Sequence, residues 1–122
     1  MELYLRLLAE AYEMEVPPFR DQSLGWPRSF IELQSQLGGY GLVAFSYAWT
    51  PESFIAHLRY SQTPLMAVTP DWTRFWLFLP QKGHYWEVFE QGYLLGTFSP
   101  SEALERFSPH GMLFYLILPS TY

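Results

Sequence analysis

The amino-acid sequence predicts an α+β domain, with N-terminal helices packed over one face of a mostly antiparallel sheet in a two-layer arrangement. Three observations carry this expectation. Apolar residues recur at helical spacing near the start of the chain. Three later segments open with the capping residues Ser29, Thr50 and Ser99. From residue 64 onward, turn residues divide the chain into short runs dense in aromatic and aliphatic side chains. At 122 residues the whole chain, 1–122, is expected to form one domain with a sizeable core.

The stretch "ELYLRLLAEAYEM" (2–14) sets Leu3, Leu7, Leu8 and Ala11 on one side of an amphipathic helix. "VPPFRDQSLGWP" (16–27) holds three prolines and a glycine and reads as an irregular connection. In "SFIELQSQLGG" (29–39), Ser29 with Glu32 forms a capping box, and Gly38 and Gly39 stop the helix. "YGLVAFSY" (40–47) is a strand by content. "TPESFIAHLRY" (50–60) is a helix with Thr50 as its cap and Pro51 in the first turn.

Five strands follow, "PLMAVT", "RFWLFL", "HYWEVFE", "YLLGTF" and "MLFYLILP", with "QKG" as a short hairpin connection between the second and third. A last helix at "SPSEALERF" (99–107) repeats the capping logic through Ser99, Pro100 and Glu102. No internal repeat, low-complexity tract or linker divides the chain.

"RFWLFL" leaves two possibilities open, because it is apolar on both alternating sets: Phe75, Leu77 and Leu79 on one, Trp76 and Phe78 on the other. Either the strand is central and buried on both faces, or one aromatic face is exposed and binds a partner. Apolar residues make up 49% of the chain and aromatics 20%, which leaves material for such a surface.

With net charge -5 and only seven Lys and Arg, the chain lacks the basic footprint of a nucleic-acid binder. It has no cysteine, so disulfides, a thiol nucleophile and thiolate metal sites are excluded, and the cytoplasm is the default location. No run approaches the roughly 18 to 20 apolar residues of a membrane span, and the charged N-terminus with Glu2, Arg6 and Glu10 is no signal peptide.

Residues with chemistry to offer are scattered. His57, His84 and His110 fall in a helix, a hairpin and a loop, without metal-ligand spacing, so neither a metal nor another cofactor is expected. The serines lack a nucleophile elbow, and no Ser, His and Asp set can be assembled. Glu10, Glu13 and Glu15 read as solvated charge. "GWPRSF" and "GGYG" have neither phosphate-loop nor dinucleotide spacing. Binding, rather than catalysis, is the expectation.

The order of elements resembles the double-glycine leader peptidase domain, cysteine peptidase family 39, found on bacterial ABC exporters. The resemblance spans nearly the whole chain: a first helix ending "AYEMEV", then "ELQSQLGGYGLVA", "TPESFIAHL", "PLMAV", a strand pair, "GTFSPSEALERF" and the closing "GMLFYLILP". It implies a papain-like fold. The family's catalytic His opens a strand whose next residue is Phe, which matches Arg74-Phe75, and its Asp closes the following strand, which matches Glu90. The nucleophilic Cys matches Tyr4, and the oxyanion-hole Gln would precede Met1.

Arg74 would thus stand where a general base belongs, although a guanidinium remains charged at every working pH. A phenol without a base is no nucleophile. Arg74 and Glu90, if adjacent, would pair and close a vestigial site. The inactive members of this family hold an unfolded passenger beside the transporter. The resemblance therefore implies a non-catalytic domain that binds an extended polypeptide through Trp72, Trp76, Tyr85 and Trp86, with a membrane transporter in cis or as a free-standing relative. The alternative is a stand-alone interaction factor, of inhibitor or immunity type, that docks an exposed aromatic face on one partner protein.

Overall fold

The computed structural model describes residues 1–15, 25–46, 49–107 and 111–120. The 16–24 part of the Pro-rich connection, Tyr47 and His110 lie outside them. The elements run α1 (Glu2–Ala11), α2 (Phe30–Gly38), β1 (Leu42–Ser46), α3 (Pro51–Tyr60), β2 (Leu65–Val68), β3 (Phe75–Gln81), β4 (Tyr85–Glu90), β5 (Tyr93–Phe98), α4 (Pro100–Arg106) and β6 (Leu113–Pro119). The α+β class is as the sequence predicts. All strand pairs are antiparallel, in the order β1-β6-β2-β3-β4-β5.

The two-layer expectation is corrected: helices cover both faces of the sheet. On one side Met66, Val68, Phe75, Leu77, Leu79, Tyr115 and Ile117 form a core with Tyr4, Leu5 and Leu8 of α1 and Leu33 and Leu37 of α2. On the other, Leu65, Ala67, Trp76, Phe78, Trp86, Val88 and Phe114 pack with Phe54 and Leu58 of α3 and Ala103 of α4. The period-2 alternation of β2, β3 and β6 sends apolar side chains both ways, so each face needs its own cover.

The same geometry decides between the alternatives for "RFWLFL". Phe75 through Leu79 are all buried, so β3 is a two-faced central strand. Trp76 is 6% and Trp86 1% exposed, which corrects their assignment to an exposed binding face. Trp86 also donates its indole N–H to the Leu58 carbonyl at 2.8 Å. That bond satisfies its polar atom inside an apolar layer.

Caps set the helix starts. Ser29 accepts from Glu32 N, yet the Glu32 carboxylate takes the Arg28 N–H at 2.7 Å instead of completing the box. Thr50 with Ser53, and Ser99 with Glu102, close full boxes. Ends follow tertiary needs. α1 stops at Ala11 rather than near 14, because Glu13 turns left-handed (φ 54°) and its N–H bonds Glu10 O. After α2 the left-handed residue is Gly41 (φ 72°), not Gly38 or Gly39, and a β-carbon there would press to 3.0 Å of Met14 Cε.

The two edges of the sheet differ. At β1, the Gln34 side chain of α2 clasps Ala44, donating from Nε2 to its carbonyl at 2.7 Å and accepting its N–H at 2.9 Å. At β5, no described residue pairs with the outer backbone.

Truncation of a buried tryptophan leaves a cavity as well as lost contacts. Trp86→Ala should lower folding stability by about 3 to 5 kcal/mol, enough to abolish the cooperative transition of a marginally stable domain. A thermal melt that keeps its midpoint would show that Trp86 is not a core residue.

Candidate functional site

Two of the three residues matched to the resembled catalytic positions, Arg74 and Glu90, meet at one end of the β3–β4 pair, where two backbone connections converge. The loop from β2 to β3 is closed by Thr69 N donating to Arg74 O at 3.1 Å and Arg74 N to Thr69 Oγ1 at 3.0 Å. Asp71 braces it, its carboxylate accepting the hydroxyls of Thr69 and Thr73 at 2.7 Å each. Those bonds hold the Asp71 carboxyl below its ordinary pKa. Trp72 adopts a left-handed φ of 58°, unusual for so large a side chain, and its ring lies against Phe75 and Tyr115. Packing on the α1 side outweighs the local strain.

The turn from β4 to β5 is Gln91-Gly92, both with positive φ as a type I′ hairpin requires. Gln91 ties this turn back to the start of β3. Its side-chain oxygen accepts Phe75 N–H at 2.6 Å, and its own N–H donates to Phe75 O at 3.0 Å. The sequence carried a signal for it: a Gln-Gly pair between two apolar runs.

Arg74 and Glu90 are brought together as an ion pair. Register explains it. Glu90 stands opposite Trp76, and Arg74 is two residues before Trp76 on the same face, so the pair spans a cross-strand diagonal. The Arg74 guanidinium carbon sits 4.8 Å from the centre of a Trp76 ring, in cation–π range. With Leu95, Arg106 and Phe107, these three residues line an open hollow of roughly 400 Å³ on the α4 side.

Tyr4 does not join them. It enters from the α1 side, fully buried, donating its hydroxyl to Phe75 O at 3.0 Å and accepting Gly92 N–H at 3.2 Å. Burial raises its pKa well above the ordinary phenol value; the Gly92 bond opposes this and the nearby Glu90 charge adds to it. Among these three side chains there is no nucleophile–base pair: one is a locked neutral phenol, one a permanent cation.

The four expected partner-binding aromatics do not form one surface. Trp72 is half-buried toward the α1 side, and Trp76 and Trp86 lie in the opposite layer. Tyr85, at the far end of the β3–β4 hairpin, is 48% exposed. Large exposed apolar side chains that the sequence reading did not single out include Ile31 of α2, Tyr60 of α3 and, on β5, Tyr93, Leu94 and Leu95, the last lining the hollow. The β5 signal was faint, since "YLLGTF" looks like any buried strand.

A second, more apolar hollow of roughly 430 Å³ lies over α3, lined by Trp49, Ser53, His57, Tyr60 and Leu116. His57 donates from Nε2 to Thr63 O at 2.9 Å and meets the Trp49 ring edge-on. Burial lowers its pKa, with the Thr63 bond opposing. Among the described residues, no group of three or more His, Cys, Asp or Glu could hold a metal ion, and no helix is long and apolar enough to cross a membrane.

Two outcomes follow. Tyr4→Phe takes the acceptor from Gly92 N–H and leaves the Phe75 carbonyl with the Gln91 N–H alone, and should lower stability by about 1 to 3 kcal/mol. Arg74→Ala, breaking a pair whose arginine is mostly exposed, should change it by less than about 1 kcal/mol. Urea titrations of both variants check the order, and equal losses would contradict it.

Because the folded-state pKa of His57 lies below the unfolded value of 6.5, its contribution to stability is full above that pH and declines as pH falls toward the folded value. His57→Gln should therefore lose less stability than the wild type as pH falls below about 6.5. Parallel slopes below that pH would exclude His57 as the titrating group.

Comparison of the chain with protein-family models, with curated proteins and with solved structures finds no match.

Proposed function

We propose that this chain is a non-catalytic, papain-like peptidase-like domain that binds an extended or unfolded polypeptide, beside a membrane transporter in cis or as a free-standing relative of such domains. The observation that carries the reading is the Arg74–Glu90 pair. The resemblance matches these two residues to the family's base and the base's acidic partner, and the Arg74 guanidinium stacks on Trp76 near the exposed strand β5. An arginine at that place cannot relay a proton, but a guanidinium on an aromatic ring suits the recognition of a peptide.

The second reading, a stand-alone interaction factor that docks on one folded partner, draws on the same exposed β5 residues. A fixed partner would meet side chains with a complementary folded surface, whereas an open strand edge favours chain backbone.

Reduced, carboxymethylated α-lactalbumin provides a permanently unfolded probe, and the native calcium-bound protein its folded control. Fluorescence anisotropy should show saturable binding of the unfolded form alone. A double-glycine leader peptide should stay intact with the wild type. It should also stay intact with the Tyr4→Cys/Arg74→His double variant, because the two positions lie on opposite sides of the sheet. Cleavage by the wild type, or equal binding of both forms of α-lactalbumin, overturns the proposal.

A further inference from the structure

We infer that the outer edge of β5 receives the extended polypeptide as a seventh strand, and that Arg106 selects a carboxylate on that strand. This deepens the binding function proposed above and rests on it for the nature of the occupant. The sheet has two edges, and the fold treats them differently. Ala44 of β1 has its N–H and C=O both taken by the Gln34 amide, a clasp that imitates a neighbouring strand. Among the described residues nothing comparable guards β5. Among the described residues, none pairs with its outer backbone, and Tyr93 and Leu94 are 77% and 53% exposed. Unpaired strand donors and acceptors call for another extended backbone.

Charge says what that backbone should carry. Arg74 in the hollow is neutralised by Glu90. Arg106, in the last turn of α4, lines the same hollow beside Leu95 and has no ion pair among the described residues. A strand added ~4.8 Å beyond β5 would place the side chains of its α4 face near that guanidinium. An acidic residue there would be matched within a protein of net charge -5. A second copy of the chain fits less well. Both copies would carry that net charge, and the register shift between Val88 and Phe89, with Gly96 at φ 154°, bends β5 so that two such edges would have to align two irregularities.

The probe is the acetylated, amidated peptide Thr-Val-Thr-Val-Glu-Val-Thr-Val-Thr, with a Lys-centred copy and a copy N-methylated on alternate residues. Titration with the Glu peptide should slow hydrogen exchange of outward-facing amides within 93–98, and the N-methylated copy should not bind. Arg106→Glu should weaken the Glu peptide about tenfold and bind the Lys peptide better than the wild type does. The inference is overturned if unfolded α-lactalbumin binds while 93–98 stay unprotected and protection appears elsewhere, an outcome that leaves the proposed function standing. It is overturned equally if 93–98 gain protection with protein concentration alone, which would assign the edge to a second copy. If neither unfolded α-lactalbumin nor the Glu peptide binds, the proposed function fails and the inference fails with it.

Discussion

Three adjacent strands, β6, β2 and β3, are apolar on both of their alternating faces, and much of the fold follows from the need to cover both. Burying a side chain the size of Phe or Trp removes a large apolar area from water, and no single layer of helices can do it for both faces. The chain solves this by dividing its helices in sequence order. α1 and α2 come before the sheet is begun and cover one side, while α3 and α4 are inserted between strands and cover the other. The tight aromatic contacts among Phe54, Phe78 and Phe114 belong to that second layer.

Much of this was legible in the sequence. The starts of α2, α3 and α4 could be read because capping is local chemistry, as Thr50-Pro51 and Ser99-Pro100 show. Strand positions came from composition and turn residues. The layering was not legible, because a short helix such as α3 declares one apolar stripe but not which sheet face receives it. Trp86 illustrates the consequence. Its apolar bulk suits an interface and a core equally, and only the Leu58 carbonyl at the end of its N–H identifies a core.

The site divides in the same way. The proximity of Arg74 and Glu90 follows from strand order and register, which local patterns supply. That the Tyr4 ring enters from the other side depends on where α1 docks, and the left-handed Trp72 is packed on the nearby Phe75 ring and on Tyr115 of the distant strand β6. Gln91 is an intermediate case: its turn was visible, but its bonds to Phe75 arise only once β3 lies beside it. Residues that act through backbone contacts leave little trace in a single sequence, since almost any polar side chain of suitable length could stand there.

The Gln34 clasp on Ala44 has a consequence for assembly. A sheet with two open edges can polymerise, each copy templating the next without end. Here the β1 edge is occupied at Ala44 by the protein's own amide, so head-to-tail pairing of β5 of one copy with β1 of the next must first displace that clasp. Templated stacking of whole copies is thereby disfavoured, while the opposite edge stays open to a strand from elsewhere.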